Sequence, residues 1–187
     1  MKAYIQIIIL FTLAVIAACS NVRVSQDYNP AADFSVLQEY SWKTEEQKKT
    51  GNARIDNPLL HTRIRNTVDR YLADKGYLKA PKGHPDFYVS YEYAIESKIV
   101  SDNTSVGFGV SRGSHGRRGG MSLSSGGGVS ERDEATILID FTNASTDNLI
   151  WRGTGSSRTS QHSSPEQKNR EINELVEKIL SQFPPLP

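Results

Sequence analysis

Two short stretches set a nucleophilic side chain in patterned surroundings. The first is Ile16-Ala17-Ala18-Cys19, which holds the only cysteine of the chain. A thiol is a strong nucleophile once ionised and is readily alkylated. The second is Gly109-Val110-Ser111-Arg112-Gly113, which has the nucleophile-elbow spacing of serine hydrolases. That motif works where a strained strand-to-helix turn exposes the serine beside an oxyanion hole. No helical pattern follows Ser111, because the chain continues as Ser114-His115-Gly116-Arg117-Arg118-Gly119. His162 is the only downstream histidine outside this segment, and it lies in a Ser-rich loop. In a stretch this rich in Gly and Ser, the five-residue match is read as chance.

The other chemical candidates are weaker. Gly107-Phe108-Gly109 with Gly113 hints at a phosphate cradle, but the strand, the helix and the Gly-Lys-Ser/Thr that such a cradle needs are missing. His61, His84, His115 and His162 are scattered, and none forms a metal-ligand spacing with another His or Cys. His61 falls in the first turn of a helix and reads as a surface group. Glu45-Glu46 and the carboxylates from Glu131 to Glu134 fall in loops and read as solvated. The sequence therefore implies no cofactor, no metal and no catalytic set.

The surroundings of Cys19 carry more information. Lys2 begins a short positive region, Ile7 to Ile16 is apolar, and Ala17-Ala18 precede the cysteine. This is the anatomy of a secretory signal peptide. Tyr4 to Ala18 is 15 residues, roughly 22 Å of helix at about 1.5 Å per residue. A hydrocarbon core of about 30 Å requires about 20 residues. The tetrapeptide resembles a bacterial lipobox. That resemblance implies alkylation of the Cys19 thiol by a diacylglycerol, cleavage between Ala18 and Cys19, and acylation of the new amino terminus. One acyl chain holds a protein to a bilayer only marginally, whereas several hold it stably. Ser20 and Asn21 follow, neither being the aspartate that retains lipoproteins in the inner membrane, so the expected location is the periplasmic face of the outer membrane of a Gram-negative bacterium.

Removing residues 1–18 takes away one lysine and leaves 21 basic against 21 acidic side chains. A near-neutral exported chain lacks the clustered basic field that nucleic acid demands. A lone cysteine also makes no internal disulfide. Residues 19–32 are polar, contain Asn29-Pro30, and read as the acylated cysteine with a flexible tether.

The elements that would position any site come next, over residues 33–187. Phe34, Val36, Tyr40 and Trp42 share one alternation, predicting a strand with a bend near Leu37. Asn57-Pro58 opens a helix whose Leu60, Ile64, Val68 and Leu72 recur at helical spacing, and Gly76 closes it. Phe87, Val89, Tyr91, Tyr93 and Ile95 alternate with mostly polar residues, the clearest strand of the chain. Ser105 to Gly128 has nine glycines in 24 residues, three arginines and no acid. It reads as part of a mobile loop spanning about 101–133. Ala135 to Phe141 and Leu149 to Thr154 form a hairpin across Asn143–Asn148. Ser164-Pro165-Glu166-Gln167 is a capping box before an apolar stripe from Ile172 to Phe183, stopped by Pro184-Pro185. The expected fold class is α+β, with a mostly antiparallel sheet of about four strands and two amphipathic helices packed on one face.

The ordered set Asp33-Phe34-Ser35, Tyr40-Ser41-Trp42, Asn57-Pro58-Leu59-Leu60, Asp86-Phe87-Tyr88-Val89-Ser90-Tyr91, Leu149-Ile150-Trp151-Arg152-Gly153 and Ile179 to Pro185 resembles a bacterial lipoprotein family, the one catalogued as domain of unknown function 4136. The likeness spans residues 28–187. It implies a lipobox and an α+β domain and supplies no activity, cofactor or catalytic residue. The Gly/Arg-rich segment lies outside the family pattern.

The expected function is a membrane-anchored periplasmic lipoprotein, a non-enzymatic binding or structural module of the envelope. Its partners would be the membrane, through the lipid anchor, and an envelope protein or lipid. Arg112, Arg117, Arg118 and Tyr88 are the candidate surface contacts. The rival readings are a serine hydrolase using Ser111 and a carrier of a small apolar ligand held between helices and sheet.

Overall fold

The computed structural model describes residues 22–44, 46–47, 49–80, 84–102, 128–160 and 162–185. Six strands and two α-helices follow in the order β1 (Arg23–Tyr28), β2 (Glu39–Trp42), α1 (Pro58–Asp74), β3 (Leu78–Lys79), β4 (Phe87–Asp102), β5 (Gly128–Asn143), β6 (Leu149–Thr159) and α2 (Pro165–Leu180). They form one sheet in the order β1-β6-β5-β4-β2-β3. Neighbours from β1 to β4 are antiparallel, whereas β2 runs parallel to both β4 and β3.

The α+β class stands, and the sheet expectation is corrected: the sheet has six strands and is mixed. The parallel pairs arise because α1 lies between β2 and both of its partners, and such a crossover is what parallel strands need. The extra strands came from places where alternation is weak. Arg23–Tyr28, read as tether, is an edge strand with every residue exposed. Leu78–Lys79 is two residues long. Phe34–Val36 is not strand but a 3₁₀ turn, capped by Asp33, whose carboxylate accepts the Ser35 N–H at 3.0 Å. Leu37, not Val36, enters the core. The two ends of the span read as loop are strand, because β4 continues to Asp102 and β5 begins at Gly128; residues 103–127 lie outside the described residues.

The helix boundaries follow their caps. Asn57 accepts the Leu59 N–H at 2.9 Å, with Pro58 at the first position. Ser164 and Gln167 form the reciprocal capping box. The helices lie side by side and run the same way, as the pairs Arg63–Asn169, Thr67–Asn173 and Arg70–Glu177 show.

One sheet face is covered. Tyr40, Phe87, Val89, Ile137, Ile139, Phe141 and Trp151 meet Ile64, Val68, Leu72, Leu175, Val176 and Ile179 there. Phe183 plugs one end, with ring centroids 4.6 Å from Phe141 and 5.3 Å from Trp151. Gly153 and Gly155 let α2 approach the sheet. A Cβ at Gly153 would stand 2.3 Å from Trp151 Cη2 and 2.4 Å from Ile179 Cγ2. The other face is largely polar and, among the described residues, carries no helix: Asp140 accepts a two-pronged contact from Arg152, at 2.7 Å (Nε) and 2.6 Å (Nη2).

Candidate functional site

Core packing ends near Ile95 and Ala135, but β4 and β5 stay paired as far as Asp102 and Gly128. The result is a two-stranded arm extending past the helical layer. Its base carries a polar cluster on the uncovered face. Arg23 and Lys98 both donate to the Glu134 carboxylate, and that pairing holds Glu134 down at about 2. Lys98 stands opposite Arg132, and Glu134 stands opposite both Glu96 and Arg158. On the covered side, Asp133 ties the arm to the loop before α1 through Arg54 at 2.5 Å. An open cleft of about 450 Å³ between the ends of β5 and β6 is lined by Arg132, Asp133, Arg158 and His162.

Two smaller cavities lie between the sheet and the segments above it, each of about 280 Å³. The first has Leu60, Ile95 and Ile172 as its apolar lining and Arg54, Arg63 and Lys168 around them. The second sits beside the free edge of β4 and is lined by Trp42, Ile55, Tyr91 and Tyr93, with His61 and Arg65. Both fall slightly under the range of about 300–1,000 Å³ common for small-molecule sites.

The side chains around them are held in place rather than activated. Asp69 on α1 accepts from the Tyr40 hydroxyl at 3.0 Å, the Trp42 indole at 2.8 Å and Lys79 at 2.7 Å. The Arg65 guanidinium stacks 4.4 Å from the Trp42 ring centroid and donates to the Thr44 carbonyl at 2.9 Å. His61 Nδ1 and the Tyr91 hydroxyl share a 2.7 Å hydrogen bond. His61 is thus half-buried against the sheet, not a plain surface group. Burial pushes Tyr91 and Tyr93 up to about 12, so neither phenol is a base near neutrality. Among the described residues no three His, Cys, Asp or Glu side chains gather as a metal site, and no helix is long and apolar enough to cross a membrane.

The predicted site residues divide clearly. Tyr88 is half-buried on the uncovered face, paired with Ser41 and Thr142. Cys19, the Ala18–Cys19 junction, Ser111, Arg112, Arg117 and Arg118 lie outside the described residues. Sequence reading missed Arg23, Lys98, Arg132 and Arg158. Arg23 fell in the stretch read as tether and Arg132 in the one read as loop, and only the strand register brings the four to one face.

The profile of a family described as a domain of unknown function (DUF4136) matches residues 24–185. The chain belongs to the DUF4136 family. No curated protein matches it. Among solved structures, the DUF4136 chain is similar to a PDZ domain protein from Parabacteroides distasonis, with a TM-score of 0.52 and 10% identity. That match covers 94% of this chain and 40% of the other, so the chain spans well under half the length of that protein. It is also similar to the PelC dodecamer from Paraburkholderia phytofirmans, at a TM-score of 0.45 and 14% identity, covering 86% of this chain and 96% of that one. The first likeness shows a shared fold and nothing about activity.

Proposed function

We propose that this DUF4136 protein is a lipoprotein held by acyl groups on Cys19 at the periplasmic face of the outer membrane. It acts there as a non-enzymatic binding or structural module of the envelope. The observation that carries this reading is the Ile16-Ala17-Ala18-Cys19 lipobox after an apolar run, placed four residues before the first strand of the folded domain. So short a link makes the anchor part of the domain's geometry. The apolar side chains lining both cavities, Leu60, Ile95 and Ile172 in one and Trp42, Ile55 and Tyr91 in the other, support a binding role.

Envelope fractionation tests the anchor. The wild-type chain should sediment with outer-membrane fragments, and Cys19→Ser should remain unprocessed or appear in the soluble periplasm. A wild-type chain found in the soluble fraction would overturn the reading. Fluorophosphonate labelling tests the rival: an activated Ser111 would form an adduct lost in Ser111→Ala, and no adduct is expected.

A further inference from the structure

The register of the sheet fixes where a membrane anchor would leave the domain. Arg23 opens β1 opposite Ser156, which is level with Thr136 and Ala94. Because β1 runs antiparallel to β6, the chain before Arg23 points toward the end where β4 and β5 extend as the arm. Cys19 is four residues from Arg23, a reach of at most about 14 Å. Continued in extended form, β1 would bring Cys19 level with the Lys98–Arg132 pair, partway along the arm. β4 runs eight residues past Ala94, roughly 26 Å at about 3.3 Å per residue. The anchor therefore cannot hold the domain clear of its own arm.

The chemistry of that end suits phosphate. On the uncovered face, Arg23, Lys98, Arg132 and Arg158 gather around the two carboxylates Glu96 and Glu134, an excess of cations. Arg23 and Lys98 remain largely open to solvent, with side-chain exposures of 75% and 52%. Basic side chains beside an anionic leaflet are attracted to it.

We infer that the uncovered face at the base of the arm, centred on Arg23, Lys98, Arg132 and Arg158, rests on the phospholipid headgroups of the bilayer that holds Cys19. This deepens the lipoprotein reading and depends on it. The hairpin turn Asn143–Asn148 lies at the opposite end of β5, seven residues beyond Thr136 and so far from this contact.

The mature lipidated protein is reconstituted in vesicles of phosphatidylcholine and phosphatidylglycerol containing a lipid spin-labelled at its headgroup. With the Cys19 sulfur in thioether linkage, Glu96→Cys or Ser145→Cys supplies the sole thiol for a fluorophore. Quenching at position 96 should exceed that at 145 at least twofold. Adding Lys98→Glu and Arg132→Glu should cut quenching at 96 at least twofold while the protein still floats with the vesicles. Equal quenching at the two positions, quenching at neither in floating protein, or no effect of the charge reversals overturns the contact and leaves the anchor standing. Protein that fails to float overturns both.

Discussion

The indole N–H of Trp42 ends on the carboxylate of Asp69, 2.8 Å away, joining β2 to the middle of α1. The same carboxylate takes the Tyr40 hydroxyl, so one acid satisfies two donors that the core would otherwise strand. Burial, then the negative charge of Asp69, raises the Tyr40 phenol well above its usual range and keeps it a donor. Replacing Asp69 by Ala leaves both donors unpaired. An unsatisfied buried donor costs about 1–3 kcal/mol, so with two donors stranded Asp69→Ala should lose about 2–6 kcal/mol on that scale. Urea unfolding followed by Trp fluorescence should show a lower midpoint with an unchanged slope.

Gly153 and Gly155 predict a second loss. A methyl at Gly153 would collide with the Trp151 ring and with Ile179 Cγ2, both fully buried. At Gly155 the nearest atoms belong to the Ile179 and Leu175 side chains, at 2.6–2.8 Å. Overpacking a closed core costs about 1–3 kcal/mol. Gly153→Ala should destabilise more than Gly155→Ala, since side-chain tips yield more readily than an indole ring.

The pattern of hits and misses in the sequence follows burial. Elements that bury apolar residues against both helices were legible: Phe87 to Ile95, Ala135 to Phe141 and the stripe of α2. Caps were legible too, because Asn57-Pro58 and Ser164–Gln167 satisfy amides locally, without reference to the rest of the fold. The missed parts lack such signals. β1 buries nothing, so Val24, Gln26 and Tyr28 alternate without an apolar face, and Val24 and Tyr28 stay 38% and 39% exposed. The arm beyond Ile95 packs against no helix among the described residues, so the apolar alternation stops there, and Arg132 and Asp133 on its other strand read as loop. The parallel pairing of Tyr40 with Phe87 depends on a crossover that local pattern does not encode. The basic cluster was invisible for the same reason, since its members are distant in sequence.

The capping box offers a cleaner local test. Ser164 accepts the Gln167 N–H, and Gln167 returns the contact to the Ser164 N–H at 2.8 Å. Loss of an N-cap costs about 1 kcal/mol. Ser164→Ala should lower stability by about that amount, and Ser164→Asp should recover most of it.

Glu134 predicts a pH dependence. Hydrogen bonds from Lys98, then from Arg23, lower its folded value from 4.5 to about 2. A carboxylate depressed on folding stabilises the native state above its unfolded value and loses that contribution as pH falls through the folded one. The stability difference between wild type and Glu134→Gln should be full at pH 6 and shrink between about pH 4.5 and pH 2. High salt should reduce it, because Arg23 and Lys98 are solvent-exposed. A difference that stays constant from pH 6 to pH 2 would contradict the assignment.

The central claim is that a lipidated Cys19 holds the domain by a link of a few residues. Intact-mass analysis of the amino-terminal peptide from the native protein tests it most directly. The account predicts a peptide that begins at Cys19, with a diacylglyceryl thioether on sulfur and an acyl group on nitrogen. A peptide that begins elsewhere, or a Cys19 bearing a free thiol, would contradict it.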